Sequence, residues 1–325
     1  MHGMRVSVHI DPSSADGNSR TVNRRIIALA LPTFGQLIAE PTFVLIDTAI
    51  VGHIGDTALA GLSIGSTIIL TAVGLCVFLA YSTTAQVAHL LGAGHRREGL
   101  QAGIDGLWLA LGIGIVLSLG LFAGAEPLCQ ALGGKGAVLD QAVAYTRAIM
   151  LGAPGMLLVY AANGIFRGLQ KVRITLIAAV SGAVMNAVLD VLFVIVLHWG
   201  IAGSGIATLI AQWYMGLFLV TPAILWARAD GASLRPRIAG IAAAGGDGLP
   251  LFIRTLAIRA AMVATVACAA RMGTSVLAGF QAVNSSWNFA MNMLDSVGIA
   301  GQTLVATALG AGSVSQIGRA SCRER

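Results

Sequence analysis

Asn186 and Asp190 stand four residues apart in Val184-Met185-Asn186-Ala187-Val188-Leu189-Asp190-Val191, and every other residue of that run is apolar. The spacing places an amide and a carboxylate on one face of a helix. A carboxylate at mid-membrane depth costs about 2.5–3.5 kcal/mol, so it persists where it meets water or a partner. Oxygen ligands of this kind suit Na⁺, and carboxylates that share a site can instead hold a proton. A second carboxylate, Asp47, lies in Leu45-Ile46-Asp47-Thr48-Ala49, close to the end of an earlier apolar run. The plainer alternatives are a helix-end Asp47 and a structural interhelical hydrogen bond at Asn186 and Asp190.

Other polar groups interrupt the apolar runs. Asn163, Tyr145 and Thr208 are further polar candidates, each weaker singly. Each has a plainer reading: a helix-end amide, an interfacial aromatic ring, and a hydroxyl bonded to its own helix backbone. Glu40 precedes Pro41, and Pro32 lies in the same run, so this helix should bend or kink at its prolines. Glu40 is a possible cavity group. Asn284, Asn288 and Asn292 keep helical spacing and, with Asp295 and Gln302, predict a polar stripe facing a cavity. His53, His89 and His198 are isolated and read as loop or interface residues. No phosphate loop, HExxH or nucleophile elbow occurs. The chain therefore reads as a non-enzyme without cofactor, its energy drawn from an ion gradient or from nothing.

The elements that must position these groups are membrane helices. The chain is 56% hydrophobic and 10% charged, with a mean hydropathy of +0.82. A soluble domain carries about 25% charged residues. The 41 glycines suit helices that approach closely in lipid. The net charge of +6 is modest, and no basic-aromatic patch supports nucleic-acid binding. The four cysteines show no CxxC spacing and read as small packing residues. Residues 1–22, polar at the start and without a signal-peptide core, predict a disordered cytoplasmic tail.

Eight spans of bilayer length are predicted, near 26–50, 58–84, 101–124, 139–165, 173–197, 203–226, 249–271 and 275–305. Residues 23–227 form a six-helix lobe, 228–248 an Ala/Gly-rich linker, and 249–316 the first two helices of a second lobe. Alternate loops carry Arg24 and Arg25, Arg96 and Arg97, Arg167, Lys171 and Arg173, then Arg228, Arg235 and Arg237. The opposite loops carry only Lys135 and Arg271. Positive charge marks the inner side, so the N-terminus and the linker are expected in the cytoplasm.

Residues 249–312 repeat 31–94 without a gap. Leu31-Pro32-x-Phe34 falls on Leu249-Pro250-x-Phe252, Leu59-Ala60-Gly61 on Leu277-Ala278-Gly279, and Leu91–Gly94 on Leu309–Gly312. Such repeats build transporters from two related halves around a central site. Residues 317–325, Ile-Gly-Arg-Ala-Ser-Cys-Arg-Glu-Arg, resemble translated sequencing adapter, so the native protein is expected to continue through about four more helices.

Leu31-Pro32, Asp47–Gly55, Leu59-Ala60-Gly61, Asn186-x-x-x-Asp190 and Gly203-x-Gly205-x-Ala207-Thr208 together resemble the multidrug and toxic compound extrusion (MATE) transporters, best their DinF-like branch. The resemblance covers residues 24–314. It implies an all-α integral membrane protein with two pseudo-symmetric six-helix lobes, of which about eight helices are present. It also implies export of cationic or amphipathic organic compounds against H⁺ or Na⁺, by a monomer in the bacterial cytoplasmic membrane. On it, Asp47, Asn186 and Asp190 take the ion-coupling positions, Tyr145, Asn163 and Thr208 their polar partners, and Pro32 the bending proline; Asp47, Asn186, Asp190 and Thr208 would then form a possible Na⁺ site. Two other readings stand beside it. One is a flippase for lipid-linked precursors, for which Arg147, Arg254 and Arg259 would serve an anionic head group. The other is a membrane fragment that transports nothing.

Overall fold

The computed structural model describes residues 12–272 and 274–312, and the described secondary structure is entirely helical. In chain order the helices are α1 (Pro12–Gly52), α2 (Asp56–Leu75), α3 (Phe78–Gly92), α4 (Arg96–Ala123), α5 (Ala125–Ala131) and α6 (Gly136–Met150). There follow α7 (Ala153–Gly168), α8 (Val172–Asp190), α9 (Gly200–Ala229), α10 (Ile238–Arg271) and α11 (Thr274–Gly310). A π-helical turn, Val191–Val196, continues α8.

Six described helical segments are long and apolar enough to cross a bilayer, or seven if the bent pair α6–α7 is one span. The second expected span is interrupted at Cys76 and Val77, between α2 and α3, yet still crosses as one span, Asp56–Gly92. The fourth bends by 48° between α6 and α7, where Pro154 opens the new helix. The eighth, α11, has 37 residues, but its amides and Asp295 dilute the apolar run. The count of eight is therefore approximate.

Two boundaries move. Residues 12–22, expected in a disordered tail, continue α1. Pro12 stands at its start, a position where the missing N–H costs nothing. Residues 1–11 and 313–325, including the adapter-like tail, lie outside the described residues. The linker narrows to 230–237, because α10 begins at Ile238. Its alanines favour helix, and Gly240 lets that helix approach the Asp105 carboxylate. The short linker is fastened to α4: Ser233 N–H donates to Gln101 Oε1 at 2.7 Å and Trp108 Nε1–H to the Leu234 carbonyl at 2.9 Å. Arg237 holds the buried Asp105 through Nη2 at 2.7 Å and Nε at 3.1 Å.

Four helix ends share one closure, in which the residue after the helix turns left-handed and two N–H groups reach back to the last carbonyls. Gly94, Gly133 and Gly231 serve three of them, with φ of 81°, 93° and 72°. The fourth, after α7, uses Gln170 at φ 58°. Its partners are Lys171 N–H to Phe166 O at 2.7 Å and Gln170 N–H to Arg167 O at 2.9 Å. A side chain there costs about 1–2 kcal/mol.

Helix α7 is the centre of the first unit and packs on α3, α4 and α9, while α2 lies on α6 and α1 on α8. Close approach needs small residues: a Cβ on Gly164 would stand 2.8 Å from the Ala80 carbonyl. Helix α1 carries a proline–threonine pair twice. Pro32 and Pro41 remove backbone donors, and Thr33 and Thr42 hydroxyls bond the Leu29 and Ile38 carbonyls at 2.7 and 2.9 Å. Both devices loosen the helix ladder. In the second unit α10 packs on α3 and α4, and α11 on α3 and α1.

Candidate functional site

Helices α1, α2, α6, α7, α8 and α9 surround a cavity of about 120 Å³ inside the first unit. Asp47, Tyr145, Asn163 and Thr208 line it, among apolar groups such as Phe43, Ile69 and Met215. Its lining holds one carboxylate and no lysine or arginine.

Thr208 joins the parts. Its hydroxyl donates to Asp47 Oδ2 at 3.4 Å and accepts from Asn186 Nδ2 at 3.2 Å. A contact from α1 through α9 to α8 is thus made by one side chain, not by the self-bonded hydroxyl that the sequence also allowed. Asp190 follows Asn186 by one turn, is 0% exposed, and adjoins Asp47 and Ser204 without hydrogen-bond geometry to either. Ser204 and Thr208 are themselves one turn apart on α9, so two polar pairs on facing helices meet.

Tyr145 is 2% exposed and sits beside Thr208, well inside the protein. Gly65 makes room for it: a Cβ there would stand 2.5 Å from ring Cδ1. Asn163 is buried on the cavity wall. Several acceptors in and beside the cavity have no hydrogen-bond partner, Asp47 Oδ1, Asn163 Oδ1, Asn186 Oδ1 and both Asp190 oxygens, against one unpaired hydroxyl, that of Ser204. A buried polar atom without a partner costs about 1–3 kcal/mol, and more if charged. A surplus of acceptors fits a bound cation or protons.

Other expected residues lie elsewhere. Pro32 and Pro41 are inside α1 as the sequence requires. The Glu40 side chain lies outside the described residues. Asn284 and Asn292 are half-buried, whereas Asn288 and Asp295 are exposed on α11. None of these four lines the central cavity, so the stripe does not join the site. Among the described residues, Asn288 donates to the Asn284 carbonyl of its own helix, at 2.9 Å.

Sequence reasoning passed over four residues. Gln36 and Gln212 line the cavity. Ser204 could have been found by the same spacing that marked Asn186 and Asp190. Arg167, counted among loop charges, is 4% exposed one turn beyond Asn163, with Nη2 donating to Gln36 Oε1 at 3.1 Å. Its place at the last turn of α7 explains the error, since burial there depends on neighbours distant in sequence.

The family model described as MatE matches residues 32–192. Protein DETOXIFICATION 44, chloroplastic, of Arabidopsis thaliana is 30% identical over 310 residues, covering 91% of this chain and 58% of its own length. DNA damage-inducible protein F of Escherichia coli (strain K12) is 30% identical over 307 residues, covering 91% of this chain and 66% of its own. The chain thus spans about three fifths to two thirds of these relatives. A crystal structure of MATE in the bent conformation superposes with a TM-score of 0.85 at 22% identity, covering 93% of this chain and 69% of that one. A MOP superfamily transporter from Pyrococcus furiosus, described as having a binding pocket of reverse polarity, gives 0.84 at 22% identity over 93% and 68%. Through the MatE match across residues 32–192 and the DinF relative taken together, the chain belongs to the MATE family, in its DinF-like branch.

Proposed function

We propose that this chain carries the ion-coupling unit of a secondary antiporter that exports organic cations in exchange for H⁺ or Na⁺. The reading rests on one observation above others: unpaired buried acceptor oxygens of Asp47 and Asn163 on the cavity wall, and of Asn186 and Asp190 beside it, outnumber the one unpaired hydroxyl among them, that of Ser204. Cation or proton entry supplies what they lack. Oxygen donors from Asp47, Asp190, Asn186 and Thr208 suit Na⁺, and the two carboxylates suit a proton as well. Coupling follows if the ion and the organic substrate favour different conformations. Helix α1 carries Asp47 and both proline–threonine pairs, so ion entry at Asp47 acts on the segment best able to bend.

The lining, with one carboxylate and no basic side chain, favours a positively charged or amphipathic substrate. The volume of about 120 Å³ is below the ~300–1,000 Å³ of drug-sized pockets. It takes a small cation or one end of a larger one. For a lipid-precursor flippase, arginines should line the cavity. Arg147 instead stacks over Phe122 at 5.7 Å, and neither Arg254 nor Arg259 lines the cavity. The protein acts as a monomer in a bacterial cytoplasmic membrane, with its N-terminus inside.

The test is ion binding by the purified protein. Saturable ²²Na⁺ binding displaced by acid supports an Na⁺ site, and proton release on addition of an organic cation, without ²²Na⁺ binding, supports H⁺. Neither response, in a folded preparation, would sink the proposal.

A further inference from the structure

At the end of the bundle where α7 passes into α8, a second cavity of about 430 Å³ opens between this turn and α1. Arg25, Lys171 and Arg173 border it, with Gln170 beside them. No acidic side chain does. Lys171 lies over the Trp226 ring, 4.1 Å from its centre, which holds its ammonium in place. Among the described residues, neither Arg25 nor Arg173 forms an ion pair. The start of α8 also borders the cavity and has no side-chain cap. Its partial positive charge adds to the same field.

The floor of this cavity is apolar. Leu29 and Val172 belong to a small buried cluster with Ala30 of α1 and Ala300 of α11. Basic groups above an apolar floor, at the end of membrane helices, match a phosphate with hydrocarbon attached. The sequence treats these charges only as markers of topology. Topology requires positive charge on one side of the membrane. It does not require three cations, from two distant parts of the chain, to converge on one cavity. Gln170, left-handed where the three comparable helix ends use glycine, contributes an amide side chain that glycine would lack.

We propose that this cavity binds the phosphate head group of an anionic phospholipid, which ties α1 to the start of α8. The ligand would sit one turn from Pro32 and against α11, where the two units touch. Basic pockets between membrane helices recognise such head groups. The inference needs the membrane-embedded fold but not the ion chemistry of the central cavity.

Native mass spectrometry on the purified chain, titrated separately with phosphatidylglycerol, phosphatidylcholine and inorganic phosphate, tests it. Phosphatidylglycerol should bind about tenfold more tightly than phosphatidylcholine. Each arginine should contribute about fivefold, so Arg25→Gln with Arg173→Gln should weaken it by about 25-fold. The control pair Arg97→Gln with Arg235→Gln removes equal charge from the same end of the bundle and should change binding less than twofold. If the double variant does not fold, Arg173→Lys should retain binding and Arg173→Gln should lose about fivefold. Equal affinity for the two lipids, or equal losses in the site and control pairs, would overturn the proposal. Inorganic phosphate saturating the site as readily as the lipid would also overturn it, by assigning the cavity to a soluble anion.

Discussion

Helices α1 to α3 and helices α10 to α11 start from the same repeated residues and become different objects. Each copy opens on Leu-Pro-x-Phe and closes on Leu-Gly-Ala-Gly. In the first, the second span breaks after Leu75 and resumes at Phe78; in the second, α11 runs unbroken from Thr274 to Gly310. The acid differs more. Asp47 falls on Thr265, an exposed residue whose hydroxyl bonds the Ala261 carbonyl of its own helix at 2.8 Å. The carboxylate of the second copy, Asp295, falls on Val77, at the break. Repetition has preserved backbone length and helix ends, while the chemistry belongs to one copy. A fold can be duplicated without its site.

The largest effect should come from the acid itself. Asp47→Asn is expected to weaken ion binding about 100-fold, because a charged ligand in a buried site is worth about 3 kcal/mol. Thr265→Val should leave binding within twofold. A comparable loss from both, measured by ²²Na⁺ binding or proton release, would break the asymmetry. Next come the glycines. Gly65→Ala drives a methyl into Tyr145 and should destabilise by about 1–3 kcal/mol. Gly298→Ala in α11 meets nothing within 4 Å, so helix propensity should leave it neutral or up to about 1 kcal/mol more stable. Unfolding in detergent, followed by tryptophan fluorescence, distinguishes them.

The joint between the copies should give a somewhat smaller response. Arg237→Gln leaves Asp105, 2% exposed in its side chain, without its cation, and should cost about 1–2 kcal/mol by the same unfolding measurement. Asp105→Asn added to it should recover most of the loss, since an amide tolerates that environment. Failure to recover would show that the joint depends on shape instead of charge. Smallest is Asn288→Leu. Its amide bonds its own helix, so the change should stay within about 0.5 kcal/mol, and a larger one would return the α11 stripe to a functional role.

Much of this was legible. Spans announce themselves through apolar length, and the Asn186–Asp190 spacing needs only helix geometry. Breaks within spans were not legible. Cys76 and Val77 contain no glycine or proline, and they depart only slightly from helical angles, at φ −89°, ψ 5° and φ −59°, ψ −22°. The start of α10 read as a loop because Ala/Gly-rich sequence is ambiguous until a partner such as Asp105 is known. Thr208 showed its side chain but not its direction. Which hydroxyl reaches another helix depends on packing across 161 residues of separation from Asp47, and one-dimensional spacing does not carry that.

The π-helical turn at Val191–Val196 gives the end of α8 one residue of slack. Asp190 stands immediately before it. If that turn tightened to α geometry, the chain beyond would rotate relative to Asp190 by about 100°, the angle of a single helical residue. The loop through His198, itself left-handed at φ 55°, would take up the difference or pass it back. A carboxylate in this position can be turned away from its neighbour by exchanging one backbone hydrogen bond for another, with every helix axis left where it was.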